Sequence, residues 1–144
     1  MSIVNTEEKQ GVFGMKAADL MIGDWVGVFD DEGIIKDCRQ VDWVRTGEIG
    51  MRYHKVWSIG CIEPIPLTAE ILDENDFWIV EDDIRYCGDS EVWIHTYVEH
   101  LDIEKFEGRF QCYEIPDMQF NYVHQIQQAL RLCGLNELAD NFKV

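Results

Sequence analysis

Chemistry in this 144-residue chain would rest on four histidines and three clusters of carboxylates. His54, His95, His100 and His124 are the side chains that titrate near neutral pH. Asp30-Asp31-Glu32, Asp73-Glu74-Asn75-Asp76 and Glu81-Asp82-Asp83 carry the hard oxygen donors that Mg²⁺ and Ca²⁺ prefer. No acidic cluster has the calcium-loop spacing, and there is no P-loop, no GxGxxG after a strand, no GxSxG and no HExxH. Solvated turns and helix ends account for the clusters. His95 and His100 are five apart, which on one strand puts them on opposite faces, so they could share an ion only across a bend. Cys87 or Cys112 could join one of them through cross-strand pairing. No metal site or cofactor is expected, and a metal-dependent enzyme using His95 or His100 with nearby carboxylates is the enzymatic alternative.

His124 stands in YVHQIQQAL, the start of the last strongly periodic segment. On a wheel advancing about 100° per residue, Tyr122, Val123, Ile126, Ala129, Leu130 and Cys133 fall within about 120° of arc, a core-facing stripe. His124 lies about 150° from its centre and shares its side with Gln128 and Arg131. That predicts a solvated histidine, with His124, Gln127, Gln128 and Arg131 as a candidate partner-binding face. A general base also needs an orienting group and a cleft, and no neighbouring segment supplies either, so no catalytic residue is assigned.

The elements that position these groups follow from periodicity and turn chemistry. Residues 1–14 lack a sustained period and read as a leader arm ahead of a single domain over 15–144. WVGVF at 25–29 is an apolar strand closed by an acidic turn at 30–33, and IIKDCRQVDWV at 34–44 puts Ile35, Val41 and Trp43 on one parity. With IGMRYHKVW at 49–57 as a third strand, the first part reads as a bent antiparallel sheet, an SH3-like half-barrel. Pro64 and Pro66 end it, and Thr68 caps a short helix over about 69–75, stapled by Leu67 on Leu72. FWIVEDDIRY, EVWIHTYVE and GRFQCYEI then form a second meander, turning at 87–90 and again across Glu104 to Gly108. Asp117 or Asn121 caps the last long helix, which stops at Gly134, and a further turn or tail follows. The fold class is α+β, with the C-terminal helix packed on sheet.

Composition sets the limits on function. With 47% hydrophobic residues and five Trp, the chain can build a core, and it carries no secretory pattern or apolar run long enough to span a membrane. It therefore reads as soluble and cytoplasmic. Its five cysteines include no CxxC pair and read as reduced, buried thiols. Of the net charge of −16, residues 61–118 hold 16 Asp and Glu against 3 Lys and Arg, whereas residues 119–144 are balanced at 2 against 2. Such a middle segment repels phosphates, which disfavours direct nucleic-acid binding through it. The five tryptophans each sit in a strand-like run, and an exposed subset could make a protein contact.

Three segments, Leu20-Met21-Ile22-Gly23-Asp24-Trp25-Val26, Ile65-Pro66-Leu67-Thr68-Ala69-Glu70-Ile71-Leu72 and Tyr122-Val123-His124-Gln125-Ile126-Gln127-Gln128, match in order and spacing the motifs LRIGN-x-V, IPLT-x-x-x-L and YVHQLQN. Over residues 15–134 the chain thus resembles a family of small uncharacterised proteins common in gut anaerobes of the Bacteroides group and in their phages and mobile elements. Met21 and Asp24 replace the arginine and asparagine of the first motif, and Gln128 replaces the last asparagine. The resemblance implies a phage or mobile-element setting and no mechanism. A non-enzymatic protein-binding or accessory role is the leading expectation, and an acidic mimic of nucleic acid that inhibits a nuclease or DNA-binding protein is the alternative.

Overall fold

The computed structural model describes residues 15–29, 35–45, 47–51, 55–81, 83–88, 91–96, 100–106, 110–116 and 120–144. The leader arm at 1–14, the turn at 30–33, His54 and the capping candidate Asp117 lie outside them. The chain divides into two compact units, residues 1–66 with 122–124, and residues 67–121 with 125–144.

In the first unit, β1 (Trp25–Phe29), β2 (Ile35–Arg45), β3 (Glu48–Met51), β4 (Lys55–Ser58) and β5 (Ile62–Glu63) form one antiparallel sheet in the order β4-β3-β2-β1-β5. A 3-10 turn at Ile59–Cys61 leads into β5, which pairs with the free side of β1. The eleven-residue β2 is shared: residues 35–40 pair with β1 and residues 41–45 with β3, with irregularities at Val28/Phe29 and Val41/Trp43. Passing one strand from one neighbour to the next, with an irregularity in each ladder, bends a small sheet, in line with the antiparallel sheet expected here. Val26, Val28, Val41, Ile49, Met51 and Ile62 fill it together with Met15, Ala17 and Leu20. Gly50 faces Trp43 across the ladder, and the indole lies where a Cβ at position 50 would stand. The run 49–57 is two strands, not one, because apolar alternation continues through the hairpin and hides the reversal.

The second unit opens with α1 (Ala69–Glu74), whose N-cap Thr68 accepts a hydrogen bond at Oγ1 from the Ile71 amide at 3.2 Å. Five strands follow as an antiparallel meander in chain order: β6 (Phe77–Val80), β7 (Asp83–Cys87), β8 (Glu91–Thr96), β9 (His100–Phe106) and β10 (Phe110–Pro116). The segment 77–86 is again a hairpin, β6 to β7, turning at Glu81 with φ of 59°. Glu104, expected in a connection, lies inside β9. Phe77, Ile84, Val92, Ile94 and Ile103 are buried on one face of this sheet.

The helix α2 (Val123–Leu132) is followed by α3 (Asn136–Asp140). Gly134, at φ 79°, ends α2 in a Schellman motif: its amide donates to Arg131 O at 3.0 Å and the Leu135 amide to Leu130 O at 2.8 Å. Val123, Ile126, Ala129, Leu130 and Cys133 are buried, as their stripe requires, and Phe142 after α3 meets Phe77 at 6.0 Å between ring centroids. The protein is α+β, built from two antiparallel sheets and few helices.

Candidate functional site

Phe77, Ile84, Val92, Ile94 and Ile103 mark the buried face of the second sheet, and the opposite face carries the chemistry. Directly opposed residues share a face, so the register writes two rows across the strands: Trp78, Arg85, Trp93 and Glu104, then Val80, Asp83, His95 and Asp102. In these rows His95 Nε2 lies 2.9 Å from Glu104 Oε2, and its Nδ1 lies 3.2 Å from Asp83 Oδ2. The His95 and Trp93 rings are parallel within 3° at 6.1 Å, and the Arg85 guanidinium lies 5.1 Å over the same indole. Burial is the largest influence on His95 and pushes its pKa down, but hydrogen bonds to Glu104 and Asp83, with their charges, outweigh it and raise the pKa above the ordinary histidine value. The raised pKa favours the imidazolium form between the two carboxylates, and in that form both ring nitrogens donate and no lone pair is left for a proton or a metal.

His95 and His100 belong to different strands, so the expectation of opposite faces on one strand fails. Among the described residues no group of three His, Cys, Asp or Glu is placed to share an ion. The turn read at 87–90 would set Asp83 opposite Ile94; the pair with His95 comes from the observed register, in which Cys87 faces Glu91. Glu104 could not be found from a turn either, because residues 97–99 hold no Gly, Pro or Asn to mark the second reversal.

The three motif segments serve the first unit and the ends of the second. The Asp24 side chain accepts from the Met21 amide at 2.8 Å, the Val41 amide donates to Asp24 O at 2.8 Å, and Gln40 Nε2 donates to Gly23 O at 3.1 Å, so the first motif is a turn that pins β1 to β2. Asp24 is fully buried and Gln40 nearly so. The second and third motifs meet: Val123 N donates to Ile65 O at 2.9 Å and Leu67 N to Asn121 O at 3.0 Å, with Pro66 opposite Tyr122. His124 follows, stacked on Tyr122 at 6.0 Å and within the fields of Asp24 and Asp19.

His124 is only 7% exposed, which overturns its expected place on the solvent side. Burial lowers its pKa, against the weaker opposite pull of Asp24 and Asp19, and its Nδ1 is buried without a hydrogen-bond partner. Gln127 is likewise buried and donates from Nε2 to Ala139 O at 3.0 Å, while Arg131 Nε pairs with Asp140 Oδ1 at 3.2 Å. Gln128 is half-buried. The stripe His124, Gln127, Gln128 and Arg131 is therefore no open helix face. The wheel counts only the helix's own apolar residues, and Gln127 and Arg131 reach α3.

Exposed apolar surface sits elsewhere. Trp78, Ile79 and Val80, three successive residues of β6, are 55%, 56% and 40% exposed, and no sequence signal separated them from the other strand-borne apolar runs. Of the described cysteines only Cys133 is buried; Cys38 and Cys61 are half-buried and Cys87 is exposed, against the uniform expectation. Burial, with Asp37 and Glu63 nearby, raises the Cys38 pKa and keeps that thiol protonated. No helix among the described residues is long and apolar enough to cross a membrane. Comparison with family models, with curated proteins and with solved structures returned no match.

Proposed function

We propose that the chain is a non-enzymatic, cytoplasmic protein-binding or accessory protein, acting in the phage or mobile-element setting that its three motifs imply. The observation that carries this reading is the exposed Trp78-Ile79-Val80 run on a terminal strand of the second sheet, since soluble proteins usually blunt such edges with charge, proline or cover. The neighbouring histidine supports it from the other side, because both ring nitrogens of His95 are engaged by Asp83 and Glu104. The same pairing weakens the nucleic-acid-mimic alternative, which needs those carboxylates bare.

Crosslinking capture from the organism that encodes the chain tests the reading. A specific partner should be retained by the native chain and lost with Trp78→Glu. Failure to recover any specific partner, together with turnover in a broad hydrolase screen that His95→Ala abolishes, would reverse it.

A further inference from the structure

The edge of β6 has a hydrogen-bonding side as well as an apolar one. The Cys87 amide donates to Asp76 O at 2.8 Å, which fixes the 76/87 pair as a hydrogen-bonded one. Bonded and non-bonded pairs alternate along an antiparallel ladder, so Trp78 and Val80 also bond to β7, and the N–H and C=O groups of Phe77 and Ile79 point to the other side. Among the described residues no strand pairs with β6 there. The open side is bounded by Asp76 and Glu81, both exposed and both at positive φ, 63° and 59°, which confine the strand to four residues. Acidic charge dominates around it: residues 56–84 contain eight Asp and Glu and no Lys or Arg, with Asp73, Glu74, Asp76 and Glu81 all exposed, while Lys143 lies beside Asn75 and Arg85 faces Trp78.

We infer that β6 is a β-augmentation site for a partner's extended segment with three central apolar residues and Lys or Arg at both ends. The main chain of that segment bonds to Phe77 and Ile79, its apolar side chains cover Trp78, Ile79 and Val80, and its cations meet Asp76 and Glu81. Self-pairing is disfavoured by the same charges, because two antiparallel copies bonded through Phe77 and Ile79 would place Asp76 of one opposite Val80 of the other, one residue from its Glu81. The inference rests on the protein-binding reading and gives it a partner chemistry.

The test uses the full chain and the capped peptide Lys-Lys-Val-Ile-Val-Lys-Lys, followed by fluorescence anisotropy. The peptide should bind, should weaken about tenfold or more when its alternate amides are N-methylated, and should weaken as salt rises. Its Glu-for-Lys counterpart should bind at least about tenfold more weakly. In the protein, Ile79→Pro removes an amide that β7 does not use, so the hairpin should persist while binding falls by a similar factor. Equal binding of the basic and acidic peptides, or full binding of the N-methylated peptide, overturns the inference even if Ile79→Pro fails to fold. So does a wild-type dimer that Ile79→Pro dissociates, which would make a second copy the occupant. A partner captured equally by wild type and a folded Ile79→Pro leaves the protein-binding reading standing and removes the edge from it, whereas absence of any captured partner defeats both.

Discussion

His95 and Glu104, on neighbouring strands, share a hydrogen bond of 2.9 Å on the open face of the second sheet. Because the folded pKa of His95 is raised, the stability this pair contributes is complete below the unfolded value of about 6.5 and is lost as pH rises through the folded one. Glu104→Gln should lower the His95 pKa, read from its ring protons by NMR, and cost about 1 kcal/mol at acidic pH but much less at alkaline pH. An unchanged titration would show that the pair does not form in solution.

His124 should titrate in the opposite sense. Its folded pKa is lowered, so its contribution is present above about pH 6.5 and is lost as pH falls and the unfolded chain takes up a proton first. His124→Phe should flatten the acid side of the stability curve measured by urea unfolding. A slope equal to that of the native chain would refute the burial.

Asp24 offers a graded comparison. Asp24→Asn keeps an acceptor for the Met21 amide and should change stability by less than about 1 kcal/mol, whereas Asp24→Ala leaves that part-buried donor unmade and should cost about 1–3 kcal/mol in thermal unfolding. Both substitutions should lower the His124 pKa further by removing a carboxylate that opposes the effect of burial.

Two backbone positions should respond with opposite signs. Gly134→Ala meets open space but forces an alanine to φ 79°, and should cost about 1 kcal/mol. Glu81→Gly relieves the strain of a side chain at φ 59° in a two-residue hairpin and should be neutral or stabilising by a few tenths of a kcal/mol, after the added flexibility of the unfolded glycine is counted. Chemical denaturation of the two variants decides both.

What the sequence made legible was local. Thr68 marks the start of α1, Gly134 marks the end of α2, and alternation places β1, β2 and β8, because each signal acts within a few residues. Strand changes without turn residues were hidden, as between β3 and β4, and Glu104 was assigned to a connection for the same reason. The burial of His124 and Gln127 was invisible because it depends on residues far along the chain or outside the helix, Asp24 on one side and Ala139 on the other. The triad of Asp83, His95 and Glu104 needs two correct strand registers at once: the turn read at 87–90 misses the first by one residue, and residues 97–99 offer no turn residue for the second.

The bonds from Leu67 N to Asn121 O and from Val123 N to Ile65 O close a loop of more than fifty residues, whose described elements are a helix and a meander of neighbours in sequence. Local strand pairs form early and shorten the effective loop to the width of the meander, whose first and last strands are its two edges, so less closure entropy is left to the two final bonds. The junction is thus a late event in folding: substitutions at Ile65 or Val123 should speed unfolding far more than they slow refolding, and the meander should hold its amide protons after the junction has begun to exchange them.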